Sequence, residues 1–469
     1  MKRTILLYNP HSTFSTMPLG LLAVGSALDR ERYDVKILDG RLPSGTLENV
    51  VRAAEGALCI GLSVLTGGPI RDALAVSRAV KERYPDLPVV WGGWHASLFP
   101  LDTLEEPSID ITVQGQGEET FRRIVERLAA GESMEGLDGL CWKREGVAVR
   151  NAPCAMIDMN AFPTPDYALI ETEAYYAAKG SRQIDYISSI GCFFRCAFCA
   201  DPFVYGRTWS GLEPERIVDE LEALWGRERF TEVAFQDETF FTYRPRVMRM
   251  AEEMIRRNLR VGWTATMRAD QGVRMTDQEW ELCARSGMRW LLIGVESGSP
   301  ETLARIRKDI TLDQVFHCAR ICARLGITVV FPIIVGFPGE SAQSIQASID
   351  VAKRLRAMSP GFDTPIFYFK PYPGSSITDE AIRDGYRLPA TLREWADFDF
   401  VEGSSGPWVD DERFEMIERF KFYNRIAWGR RGPLQRPLQL LARARCRGDY
   451  YRFPIEKRII ERLRPPRLR

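Results

Sequence analysis

The stretch "IDYISSIGCFFRCAFCADP", residues 184–202, sets an apolar, strand-like run directly against three cysteines. Cys192, Cys196 and Cys199 are separated by three and then two residues. The run before them has the apolar and β-branched content of a strand, so the thiols follow its carboxyl end. A structural zinc ion takes four ligands, usually from paired Cys or Cys/His elements. Here the loop offers three, and His11, His95 and His317 are all distant in sequence. Zinc is then possible only if a scattered cysteine folds back to complete the set. Three unrelated core cysteines fit less well, because the same loop carries Arg195 and Asp201. Thiolates also hold iron–sulfur clusters. Three of them on a four-iron cluster leave one iron open to another ligand.

The segments downstream repeat a strand-then-helix order. EVAFQD, VGWTATM, WLLIGVE, TVVFPIIVG and PIFYFK read as strands, and helical patterns such as EPERIVDELEALW and LDQVFHCARICARLG separate them. With the first strand this makes six units in about 200 residues, a partial (β/α)6 barrel over 182–378. Sites on such barrels lie at the carboxyl ends of the strands, which puts the cysteines at the mouth.

Upstream, residues 1–150 form a second alternating series. TILLY, DVKILD, ALCIGLSVL, LPVVWGG and IDITVQG are the apolar runs, with helical segments such as PLGLLAVGSALDRE between them. The order predicts a doubly wound, Rossmann-like parallel sheet with its ligand at the carboxyl ends of the strands. Small residues collect at those ends: Ser63 and Leu65, Gly92 and Gly93, and Gly115 and Gly117 before Glu118. Three such clusters in succession suggest a large, flat ligand lying close to the backbone. Residues 151–181, with AFPTPDY, read as a linker.

Composition narrows the class. The 469 residues are 45% hydrophobic and 27% charged, enough for about three globular domains at ~150 residues each. Balanced charge gives no general attraction to nucleic acid. No apolar run has the length of a transmembrane helix, and the apolar start is too short for a signal peptide. The ten cysteines do not form a disulfide framework, which fits a cytoplasmic location. Residues 379–469 differ in being mostly helical and basic: from Arg425 onward, fourteen Lys and Arg stand against three acids, a local net of +11. That excess fits a solvated helical face, a contact with an anionic or lipid-like substrate, or peripheral contact with a membrane.

Cys192, Cys196 and Cys199, with Phe198 before the last, resemble the radical S-adenosylmethionine (SAM) superfamily motif. The resemblance implies a 4Fe-4S cluster on these three cysteines and SAM as co-substrate. Further segments resemble that family's SAM-binding elements in barrel order: Asp237 and Glu238 near the amino group, Arg268 toward the carboxylate, Glu296 and Ser297 near the ribose, and Gly336 in VGFPGE on the adenosine side. KPYPGSS (370–376) is similar to a later segment. Ser63-x-Leu65 with Gly92-Gly93 resembles the cobalamin-binding domain that precedes the barrel in one large class. One element departs: the Asp-x-His-x-x-Gly of histidine-ligated cobalamin domains is replaced by Asn9-Pro10-His11-Ser-Thr-Phe.

The resemblance implies reductive cleavage of SAM to a 5′-deoxyadenosyl radical, an external low-potential donor of flavodoxin or ferredoxin type, and a small-molecule substrate. Methylation of an unactivated carbon through cobalamin is the leading expectation. Cyclisation, ring rearrangement or dehydration without methyl transfer is the alternative.

Overall fold

The structure is a computed structural model and describes residues 2–398, 406–429 and 432–463. The chain forms two compact units: Met1–Ala265 with Pro371–Phe400, and Thr266–Lys370 with Val401–Arg469.

The first unit opens with a seven-stranded sheet of β1 (Arg3–Asn9), β2 (Tyr33–Asp39), β3 (Ala57–Ser63), β4 (Val89–Gly92), β5 (Ile111–Val113), β6 (Leu140–Arg144) and β7 (Val147–Arg150). Its order is β2-β1-β3-β4-β5-β6-β7. Strands β1 to β5 are parallel, as expected. Strands β6 and β7 add an antiparallel hairpin on the edge, which strand–helix alternation does not announce. Alternate side chains supply two cores: Leu6, Tyr8, Ile60, Leu62 and Trp91 enter one, and Ile5, Leu7, Cys59 and Val90 the other. Burial on both faces explains why these strands read as continuous apolar runs. From β1 the order runs outward both ways, to β2 and to β3, so a crevice opens between the carboxyl ends of β1 and β3.

The same unit contains β8 (Gln183–Tyr186), β9 (Ser189–Gly191), β10 (Trp209–Gly211), β11 (Glu232–Phe235) and β12 (Gly262–Met267), the last reaching the unit boundary. Strand β11 pairs in parallel with β8 and β12, and β9 pairs antiparallel with β10. The single run IDYISSI therefore breaks into β8 and β9. The segment Pro371–Phe398 also belongs here, not with the basic end. Its Trp395 is buried against Phe99, ring centroids 4.5 Å apart, and joins the core of the seven-stranded sheet with Phe398.

In the second unit, β13 (Met288–Ile293), β14 (Thr328–Val330) and β16 (Phe362–Asp363) pair in parallel. Strand β15 (Ile333–Val335) pairs with β17 (Ile366–Tyr368). Strands β14 and β15 come from one apolar run that breaks at Phe331-Pro332, where proline offers no N–H to a ladder. Helices Asp277–Ser286 and Leu312–Leu325 begin on capping boxes, Thr276 with Glu279 and Thr311 with Gln314. Helices Asp411–Ala427, Arg436–Arg447 and Ile455–Leu463 make the C-terminal region helical. No helix among the described residues is long and apolar enough to cross a membrane.

Trp395→Ala should lower stability by about 3 to 5 kcal/mol, the usual cost of emptying a buried aromatic site. Urea denaturation followed by circular dichroism measures this; a loss below about 1 kcal/mol would mean that the segment only rests on the sheet.

Candidate functional site

The crevice at β1 and β3 widens into a cavity of 530 Å³ within the first unit. All six small or apolar strand-end residues singled out in the sequence line it: Ser63, Leu65, Gly92, Gly93, Gly115 and Gly117. Gly93 is fixed by its backbone. Its φ is +85°, and a Cβ there would lie 2.9 Å from the Val64 nitrogen. Gly92 and Gly117 differ, because a Cβ on them would meet nothing nearer than 3.9 and 3.4 Å. Their absent side chains are cavity space, a cradle against which a flat ligand can lie on the backbone.

Ile187, Ile190, Tyr205 and Glu238 line the same cavity from the cysteine side. Asp185 on β8 fastens the two sides together. Its carboxylate is 1% exposed and accepts from Lys179 Nζ at 2.5 Å, from the Met17 N–H at 2.7 Å and from Gln236 Nε2 at 2.9 Å. Met17 belongs to the loop after β1, so one buried anion ties the crevice loop to the strand that leads to the thiols. A buried carboxylate with three donors, one cationic, is compensated.

None of the three histidines lines this cavity. His11 is exposed, and its backbone N–H is held by Asp72 Oδ2 at 2.7 Å. His95 is buried with Nδ1 3.2 Å from Thr66 Oγ1, and burial pushes its pKa down to about 3. His317 lies in the second unit.

Cys192, Cys196 and Cys199 occupy the loop between β9 and the short helix Asp201–Val204, half-buried and free of disulfides. The Cys199 N–H donates to the Cys196 carbonyl at 3.3 Å, and Cys199 Sγ lies 3.3 Å from Asp201 Oδ2. Burial, then the Asp201 carboxyl, pushes the Cys199 thiol well above its usual range. Surroundings that resist another negative charge favour a bound cation, and coordination deprotonates a thiol outright. Among the described residues no three His, Cys, Asp or Glu side chains are poised around one ion. A single zinc would need such convergence; thiolates that each bind a separate iron of a cluster do not. The donor set fits the cluster.

The two adjacent acids part company. Asp237 is buried and accepts from the Ser188 N–H, Ser188 Oγ and Ser189 Oγ at 2.5–2.8 Å, with the buried Arg246 guanidinium 3.5 Å away. It holds the turn between β8 and β9. Glu238 faces the cavity and accepts from the Gly191 N–H at 3.1 Å. Burial, then the nearby Asp201, raises its pKa from 4.5 to about 8. Tyr205, which no sequence pattern marked, packs edge-on to Trp94 with centroids 6.5 Å apart, and both line the cavity. Glu118 lines it too, and burial raises its pKa.

In the second unit, Arg268 and Glu296 meet on Lys308, a residue without a sequence signal. Arg268 donates to the Lys308 carbonyl and, at 2.9 Å, to Asp270. Glu296, in a left-handed conformation with φ of +65°, accepts from Lys308 Nζ at 2.7 Å. Ser297 is fully buried with its hydroxyl 3.3 Å from that of Ser348. The Gly336 N–H donates to Glu340 Oε2 at 2.7 Å. Phe198 is half-buried in the cysteine loop.

The family model of the radical SAM superfamily matches residues 186–352, and that of the B12 binding domain matches residues 7–125. An uncharacterized methyltransferase of Pyrococcus horikoshii is 30% identical, with 82% of each chain covered. Cytidylyl-2-hydroxyethylphosphonate methyltransferase of Streptomyces wedmorensis is 25% identical, with 89% of each covered. Among solved structures, the radical S-adenosylmethionine methyltransferase TsrM of Kitasatospora setae, with cobalamin and a 4Fe-4S cluster bound, superposes with a TM-score of 0.72 at 18% identity, covering 88% of each chain.

The acids should separate in experiment. Asp237→Asn leaves the buried Arg246 without its charge partner and should cost about 3 to 5 kcal/mol of stability. Glu238→Gln should keep the fold. Because the folded carboxyl has the higher pKa, its contribution to stability is full below about pH 4.5 and is lost as pH rises toward about 8. The cluster-free Glu238→Gln protein should therefore lose less thermal stability than the native chain between pH 6 and 8. Parallel melting curves at the two pH values check this; equal losses would place Glu238 in bulk water.

Proposed function

The chain belongs to the radical SAM superfamily, in the class that carries a B12-binding domain ahead of the barrel, and we propose that it methylates an unactivated carbon of a small molecule. The single cavity reached by both the strand-end glycines and the residues beside the cysteine loop carries this reading. It supports a methyl donor and a radical source acting on one substrate.

Cys192, Cys196 and Cys199 would hold the 4Fe-4S cluster, and the wall at Ser63, Leu65, Gly92, Gly93, Gly115 and Gly117 would receive the corrin. When bound, these groups supply reductive cleavage of SAM to a 5′-deoxyadenosyl radical and a transferable methyl group, respectively. The residues of this chain have three tasks. Glu238 would accept a hydrogen bond from an ammonium group in the cavity, giving up its proton as the cation enters. Ile187 and Ile190 line that side of the cavity with aliphatic side chains, which limits water near a radical. The departure at Asn9-Pro10-His11 and the absence of histidine from the wall support a corrin with no nitrogen ligand from the protein. Within the second unit, Lys308 orders Arg268 and Glu296 as one group. A low-potential donor of flavodoxin or ferredoxin type supplies the electron, and ten cysteines with no disulfide among the described residues suit a cytosolic setting.

With native substrate and methyl-deuterated SAM, the product should carry the label. S-adenosylhomocysteine and 5′-deoxyadenosine should form near one to one once uncoupled cleavage is subtracted. An unlabelled product with 5′-deoxyadenosine alone would mean cyclisation, rearrangement or dehydration.

Alanine at Cys192, Cys196 or Cys199 should abolish SAM cleavage, whereas Cys283→Ala, Cys318→Ala and Cys322→Ala should retain it. Those three are fully buried, and burial, helped by the nearby Asp270 carboxylate, pushes the Cys318 thiol up to about 12. Full 5′-deoxyadenosine formation by Cys196→Ala would remove the assignment.

A further inference from the structure

Of eighteen large apolar side chains exposed among the described residues, seven lie between Leu434 and Ile459: Leu434, Leu440, Leu441, Tyr450, Phe453, Ile455 and Ile459. This is also the basic part of the chain. Hydrophobic side chains exposed singly are ordinary, but a concentration of them marks an interaction surface.

The local structure shows why they face outward. Helix Arg436–Arg447 buries Gln439, Ala442 and Cys446 on one side. The opposite side carries Leu440, Leu441 and Ala444, with Arg436 and Arg447 along one edge. Helix Ile455–Leu463 exposes Ile455 and Ile459 one turn apart, with Arg458 between them. Arg445 clasps the connection: it pairs with Glu456 at 2.6 Å and donates to the carbonyls of Tyr450, Arg452 and Phe453. Phe453 is thereby left 72% exposed at the bend.

The charges choose the occupant. Asp449 is paired with Lys353 and Glu456 with Arg445, so both acids between Leu434 and Ile459 are already neutralised. Arg436, Arg447, Arg452 and Arg458 are exposed, with no acidic partner among the described residues. An apolar stripe bordered by unpaired arginines matches the boundary between acyl chains and anionic headgroups: leucine, isoleucine and phenylalanine enter the boundary, and guanidinium groups reach the phosphates. A second copy of the same face would bring like charges together and is disfavoured.

We propose that the Leu434–Ile459 surface docks this enzyme reversibly on an anionic lipid bilayer. The proposal stands apart from the methyl-transfer reading, since it rests on no residue of the cavity. Docking of this kind is peripheral, and its strength falls with ionic strength.

Sedimentation of the full-length protein with vesicles of phosphatidylcholine and phosphatidylglycerol at 7:3 tests it. Binding is expected at 50 mM NaCl, with a loss of at least about tenfold in affinity at 500 mM, as screening of several headgroup contacts requires. Pure phosphatidylcholine vesicles should bind weakly. The exposed double substitution Leu440→Ser/Leu441→Ser should weaken binding about tenfold or more without moving the melting temperature, and Arg436→Gln/Arg447→Gln/Arg452→Gln should reduce the salt dependence. No binding to the anionic vesicles at 50 mM NaCl overturns the proposal. So does binding that ignores the leucine substitutions, which would leave a charge effect without insertion. Concentration-dependent dimerisation in sedimentation equilibrium, lost in the leucine variant, would assign the face to a second copy instead.

Discussion

The buried carboxylate of Asp185 is the interaction on which the cavity depends. It lies on the first strand after the linker, yet it holds the N–H of Met17, whose loop follows the first strand of the seven-stranded sheet. Lys179 supplies the compensating charge and Gln236 the remaining donor. Tyr167 donates to the Asp185 carbonyl, and Tyr175 to Asp39 at the end of β2. The linker is therefore not a spacer. It delivers hydroxyls and an ammonium to the seam between sheet and barrel strand, and removing the anion would leave Lys179 buried with nothing to neutralise it.

That seam gives the cavity two unlike walls. One is made of backbone, where Gly92 and Gly117 leave room and Gly93 cannot be replaced without meeting Val64. The other is made of side chains: two isoleucines, Tyr205 and the raised carboxyl of Glu238. The first suits a broad planar ligand. The second sets apolar side chains beside a carboxyl whose charge state changes with what binds. In the proposed reaction this asymmetry separates the methyl donor from the radical source while keeping both open to one substrate.

Much of this was legible in the sequence, for identifiable reasons. Strands buried on both faces leave unbroken apolar runs, so β1 to β5 stand out, and the cysteine spacing marks its loop without help from the fold. The edge hairpin at β6 and β7 was not legible, because half-exposed strands such as Val147–Arg150 have a weak pattern. The breaks inside IDYISSI and TVVFPIIVG were hidden by continuous hydrophobicity, although Pro332 marks the second. Adjacent carboxylates cannot be ranked from sequence: Asp237 is consumed by two serines and Arg246, and only Glu238 reaches the cavity. Tyr205, Asp185 and Lys308 acquire their places through contacts with residues far along the chain, which spacing does not encode. Trp395 was read with the basic end for the same reason, although its ring belongs to the core of the first sheet.

The account's central claim is that a corrin occupies the cavity fastened by Asp185, and that the loop of Cys192, Cys196 and Cys199, next to the cavity wall at Ile190, holds the iron–sulfur cluster. Anomalous scattering at the cobalt and iron edges, from crystals of the anaerobically reconstituted enzyme, tests it most directly. The account predicts a cobalt peak inside the cavity bounded by Leu65, Gly92 and Ile190, and iron peaks beside Cys192, Cys196 and Cys199. A cobalt peak outside that cavity, or iron held by any other cysteines, would contradict it.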